Sequence, residues 1–103
     1  MMNVEPIPEY RDWVRTFGCI TPRRECSGPI DLHHVKSRGA GGKDQANLVP
    51  LCHYHHMNGH SRGWQTFQKQ YDVDLRHIAT RLWETWVARL PYVEQQRWLS
   101  TRS

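Results

Sequence analysis

A chain of 103 residues has room for one domain, and 38% hydrophobic with 23% charged residues is the composition of a globular protein, not of a disordered or fibrous one. The net charge of +4 and pI near 9.3 suit an ordinary solvated basic surface, while eleven arginines among fourteen basic residues add weight to a polyanionic partner, because arginine's planar fork suits phosphate; composition alone does not decide between them. No apolar run approaches the ~20 residues of a membrane span, and the N-terminal stretch lacks the basic and apolar regions of a secretory signal, so a cytosolic protein without membrane contact is expected.

In chain order, Tyr10, Trp13, Val14 and Phe17 recur at spacings of three and four. This predicts a helix over Pro8–Phe17, with proline near its start and Gly18 at its end. Cys19 to Pro29 reads as an irregular knuckle rich in Pro, Gly and Arg. Ile30–Lys36 is expected as a strand, Ser37–Gln45 as a glycine-containing loop, and Asn47–Leu51 as a second short strand. Pro50 restricts that second strand to an edge or a strand end. A short helix follows over His53–His60, stopped near Gly59 or Gly63, and another over Trp64–Tyr71.

Asp72 and Asp74 are both candidate N-caps for the clearest helix of the chain. There Leu75, Ile78, Ala79, Leu82, Trp83, Trp86, Val87 and Leu90 fall at helical spacing, and Pro91 ends the run. The tail from Tyr92 adds a last turn around Trp98 and Leu99 or frays. The Trp and Tyr residues are expected to serve packing and not base stacking.

Three cysteines are an odd number, and structural disulfides are not expected in the cytosol, which points to metal instead. Cys19 and Cys26 in the knuckle, with Cys52 and His55 in a C-x2-H pair, supply one Cys3His set, the composition of a closed, structural zinc site. The six residues between Cys19 and Cys26 are more than a zinc knuckle usually has, and the alternative is that the cysteines are ordinary buried thiols.

Six of the seven histidines lie between His33 and His60. His56 and His60, spaced i, i+4, project from one helix face and can share a cation. His33 and His34 are neighbours on a strand and point to opposite sides, so one is expected to face a metal and the other a substrate. His53 and His77 are read as ordinary surface or packing histidines.

The run Leu32-His33-His34-Val35-Lys36-Ser37-Arg38-Gly39, the Gly41-Gly42 loop, Asn47-Leu48-Val49-Pro50-Leu51-Cys52, and His55-His56 with His60 resemble the motif of the HNH endonucleases, particularly small phage-associated, colicin-like and recombination-linked members. The resemblance spans Cys19 to about Gly63. It implies an α+β protein with a ββα-metal core and flanking helices, a single domain over 1–103 with the core motif at about 19–63 and a helical extension at about 64–103. It implies His33, His56 and His60 as ligands of a catalytic divalent cation, His34 as general base, and Asn47 as the brace of the loop that orients the base.

Three imidazoles suit Zn2+, Mn2+, Co2+ or Ni2+ better than Mg2+, which prefers oxygen. The activity implied is metal-dependent hydrolysis of DNA phosphodiesters, leaving 5′-phosphate and 3′-hydroxyl ends, in a bacterial or phage-encoded cytoplasmic protein. Lys36, Arg38, Lys43 and Arg62 flank the motif and are expected on DNA phosphates. Two other readings stay open. One is a non-catalytic zinc-containing DNA-binding module. The other is an accessory subunit of a recombination or packaging complex, docked or dimerised through the C-terminal helices.

Overall fold

A computed structural model of the chain describes residues 6–21 and 25–100, so the first five residues, on which the reading of the N-terminus rests, and the last three lie outside it. The fold is α+β: five helices and one two-stranded antiparallel sheet among the described residues. Among the described residues no helix is long and apolar enough to cross a membrane.

Helix α1 (Pro8–Arg15) starts on its proline, where the missing N–H costs nothing, and buries Tyr10 and Val14 one turn apart. After the knuckle, strand β1 (Ile30–His34) pairs with β2 (Leu48–Cys52) in a register that sets Ile30 against Cys52 and His34 against Leu48. All five residues of β2 are buried. Pro50 is tolerated because β2 has a strand partner on one side only. Its carbonyl accepts the Ile20 N–H from the knuckle at 3.2 Å.

The loop between the strands carries a single 3-10 turn, Arg38–Ala40, whose Ala40 N–H donates to Ser37 Oγ at 3.2 Å. Gly42 is required there: a Cβ would meet the Lys36 carbonyl oxygen at 1.8 Å.

Helices α2 (His53–Arg62) and α3 (Trp64–Tyr71) follow, joined by Gly63 with φ of 95°, a left-handed conformation that glycine adopts without strain. Of the two aspartates expected as N-caps, Asp74 caps α4 (Leu75–Ala88), its Oδ1 accepting the His77 N–H at 3.1 Å. Asp72 instead ends α3, in the left-handed region at φ 54°, because a chain leaving one helix for another must first break its spiral. The tail forms a regular helix, α5 (Tyr92–Ser100).

Opposite strand residues share a face, so the sheet has two differently used sides. Leu32 and Leu48 face a cluster of Tyr10, Val14, Trp83, Trp86, Val87 and Trp98 from α1, α4 and α5. Val49 and Leu51 face a second cluster with Phe67, Leu75 and Ala79 from α3 and α4. Most of the aromatics expected to pack do so, but Tyr54 and Tyr92 are exposed, at 40% and 73%. They sit on the outer faces of their helices.

Candidate metal centres

Cys52 is both the last residue of β2 and the N-cap of α2, its Sγ accepting the His55 N–H at 3.4 Å. That junction sets His55 one turn into the helix, facing inward and fully buried. Backbone bonds from His53 N to the Pro29 carbonyl and from Tyr54 N to the Ser27 carbonyl hold the knuckle against the same helix start. Cys19, Cys26, Cys52 and His55 converge as a result, their ligand atoms within 4.8 Å of one another.

His55 Nδ1 lies 3.6 Å from the sulfurs of Cys19 and Cys26 and 3.1 Å from that of Cys52. A tetrahedral zinc ion with ordinary Zn–S and Zn–N bonds sets its sulfur and nitrogen ligands roughly 3.5 Å apart. The group therefore fits a metal such as zinc. Burial holds the His55 imidazole below its ordinary range, in the neutral form that ligation needs. Burial and the neighbouring thiols push Cys26 up to about 12, whereas at Cys19 hydrogen bonds from Thr21 and the backbone outweigh burial and lower it. Unequal thiols crowded this closely are an arrangement that a cation relieves.

The second group is His33, His56 and His60, again with ligand atoms within 4.8 Å. His56 and His60 come from one face of α2, and His33 from the sheet face that also carries Val49 and Leu51. Burial first, and then the adjacent imidazoles of His56, His60 and His34, push His33 down to about 3. A neutral ring with a free lone pair is the ligand form.

Two residues earlier on β1, and therefore on the same face, Asp31 accepts from Nδ1 of both His56 and His53 at 2.9 Å. Burial opposes ionisation of Asp31, but the bonds from the two histidines prevail and hold its carboxyl below the ordinary range. With its Nδ1 proton so fixed, His56 presents Nε2 to the cluster, the orienting role that carboxylates play behind metal-bound imidazoles. Asp31 was not singled out by the sequence, and His53, read there as ordinary, is its second partner. Asp31→Asn is expected to weaken divalent-ion binding at the triad about 10- to 100-fold. Calorimetric titration of the zinc-loaded variant with Ni2+ checks this, and an unchanged affinity would exclude the role.

His34 is on the opposite sheet face, facing α1, and does not join the triad. Its Nε2 lies 3.0 Å from Oδ1 of Asp44, a carboxylate with no exposed surface. Asp44 also receives Nε and Nη2 of Arg11 at 2.8 and 2.9 Å and the Ile7 N–H at 2.9 Å. Burial alone would raise its pKa; Arg11, Ile7 and His34 outweigh it and hold the carboxyl below the usual range.

Asn47 ties the two ends of the loop together. Its Oδ1 accepts the Lys36 N–H at 2.7 Å, and its Nδ2 donates to the carbonyls of Lys36 and Lys43 at 3.0 and 2.7 Å. Lys36, Arg38 and Lys43 are exposed on that loop, Arg38 with Nη1 3.8 Å from Asp44, while Arg62 ends α2 and donates to Gln70 Oε1 at 2.6 Å. Three of the four basic residues named from the sequence are thus on one loop, and the fourth is on α2.

Comparison of the chain with protein-family models, with curated proteins and with solved structures finds no match.

Proposed function

We propose that this chain is a metal-dependent DNA endonuclease of the HNH kind, with a ββα-metal core. The observation that carries the reading is the triad of His33, His56 and His60, assembled from a strand and the helix that follows the hairpin, beside a separate Cys3His group. A cation held by those three imidazoles would supply Lewis acidity at the scissile phosphate, where charge develops as the 3′ oxygen departs.

The remaining work falls to the chain's own groups. With a proton on Nε2 shared with Asp44, His34 keeps the lone pair of Nδ1 to take a proton from the attacking water. Asp44 then stabilises the imidazolium without itself being protonated, as a carboxylate behind a catalytic histidine does. Asn47 closes the base of the loop that carries Lys36, Arg38 and Lys43. These cations, with Arg62, would neutralise phosphates along the duplex, so binding should weaken steeply as salt rises.

The non-catalytic, DNA-binding reading takes the same His34–Asp44 contact as a purely structural pair. Plasmid DNA separates the two. The metal-stripped triad is reloaded with Mn2+, Mg2+, Zn2+, Ni2+ or Co2+ while the Cys3His group stays filled. Nicked or linear product is expected with at least one ion. It should fall at least 100-fold in His34→Ala and in His56→Ala, with DNA retardation retained. Retardation without cleavage under every ion would leave only the binding module.

A further inference from the structure

Trp64 was expected to be one more packing aromatic. It does pack on the Val49 core, and its indole also lies against the ligand histidines. It stacks on His33 with centroids 3.9 Å apart and planes at 26°, meets His60 edge-on at 5.3 Å, and lies 6.1 Å from His56. No other tryptophan makes a ring contact with a triad histidine among the described residues: Trp13, Trp83, Trp86 and Trp98 belong to the cluster on the other sheet face.

The chain is shaped to admit this ring. Gly63, in the left-handed region, turns α3 back so that its first residue lies over α2. Gly59, between the two histidines of α2 that join the triad, has no side chain; a Cβ there would sit 2.1 Å from Trp64 Cζ3 and 2.2 Å from Cη2. Behind the indole, Phe67 meets it edge-on at 5.1 Å and roots it in the core of Val49, Leu51, Leu75 and Ala79. His33 is thus clamped: its backbone is set by β1, and its ring plane by an indole that is itself fixed by packing.

We propose that Trp64 is a positioning residue for the metal triad, an aromatic wall that fixes the His33 ring and sets how tightly a divalent ion is held. This rests on the reading of His33, His56 and His60 as a metal site. Unlike His56, whose Nδ1 is held by the Asp31 carboxylate, His33 makes its close ring contact with an indole face. Stacking restricts the rotation of an imidazole about its Cα–Cβ and Cβ–Cγ bonds, so less freedom is lost when the ion binds. An apolar wall also keeps water off one side of the ligand cluster, which strengthens the electrostatics of the other.

The test uses the zinc-loaded full chain titrated with Ni2+ by calorimetry and by tryptophan emission. Wild type, Trp64→Leu, Trp64→Phe and His33→Ala are compared, with zinc content and circular dichroism recorded for each. Trp64→Leu, which removes the stacking ring, is expected to weaken Ni2+ at least tenfold, and Trp64→Phe, which keeps one, to stay within about threefold of wild type. Part of the wild-type emission should be quenched on Ni2+ binding, and that quenching should largely vanish in Trp64→Leu, because the other four indoles belong to the cluster on the other sheet face.

Equal affinity in wild type and Trp64→Leu, both folded, would overturn the proposal while leaving the triad standing. Failure of wild type to bind Ni2+, or equal binding by His33→Ala, would overturn the triad and this proposal together. If Trp64→Leu loses its fold, Trp64→Met, closer in volume and also without a ring, carries the same expectation.

Discussion

Stripping the metal from the Cys19–Cys26–Cys52–His55 group is expected to unfold the chain, and Cys52→Ser to do the same without a chelator. The knuckle that carries Cys19 and Cys26 has no strand or α-helix of its own among the described residues. Among the described residues, its ties to the rest include three backbone hydrogen bonds, to Pro50, His53 and Tyr54, the packing of Cys19 and Ile20 on the Val49 core, and the thiol contacts to His55. A structural zinc site contributes on the order of 10–16 kcal/mol of apparent binding energy, against a net stability of about 5–15 kcal/mol for a whole domain. Loss of the ion therefore exceeds or cancels the margin.

Cys52 is the most damaging position to change because it would be a ligand while also being the helix N-cap and the end of β2. The measurement is a thermal melt with and without chelator, with zinc counted per chain. A metal-free preparation that melts cooperatively within a few degrees of the loaded one would show that the cysteines are ordinary buried thiols. The triad is separable in the same experiment: His56→Ala should change the melt little while the Cys3His group stays filled.

Much of this arrangement was legible in residue order. Helix α1, both strands, α2, α3 and α4 fall close to where periodicity and punctuation set them, because each carries its own signal: Pro8 and Gly18, the Gly-rich loop, Gly63, Asp74, Pro91. The convergence of the two groups that could hold a metal was legible as well, since i, i+4 and C-x2-H spacings are local geometry that a helix converts directly into proximity.

What escaped was second-layer chemistry. Asp44 reads as a polar loop residue until α1 docks and brings Arg11 and the Ile7 amide to it from 33 and 37 positions away. Trp64 reads as a core aromatic until the Gly63 turn lays it on His33. Asp72 and Asp74 are chemically alike, and only the path of the chain decides which one caps. Asp31 was the one available signal: it lies two residues before His33 on the same strand, hence on the same face, with a histidine-rich helix to follow.

Asp44→Asn is expected to be the most costly single change outside the metal ligands, for two separable reasons. The first is stability. Asp44 has no exposed surface, and its loss leaves the partly buried Arg11 guanidinium and the Ile7 amide without their carboxylate. Removing one partner of such a buried pair costs roughly 3–5 kcal/mol, and the 28% exposure of Arg11 puts the expectation toward the lower end.

The pH dependence has a definite sign. The folded carboxyl is held below its unfolded value of about 3.9, so its contribution is complete above that pH and is lost as pH falls through the lowered folded value. Carbon NMR of the zinc-filled chain should find the Asp44 carboxyl still ionised at the lowest pH at which the Cys3His group stays filled, where an unfolded-chain aspartate begins to protonate. Protonation there alongside the exposed aspartates would show that the carboxyl is not held below its ordinary range.

The second reason is chemical. Asparagine offers His34 Nε2 an amide in place of a carboxylate, which removes the charge that would stabilise the imidazolium and lets the other tautomer form. Cleavage by the folded variant is expected to drop by about two to four orders of magnitude, with DNA and Ni2+ affinity within a few-fold of wild type. Arg11→Ala separates the effects, since it should lose stability while the His34–Asp44 bond, and with it most of the cleavage rate per folded molecule, survives. If both variants cleave as wild type does, His34 is not the base and the pair is structural.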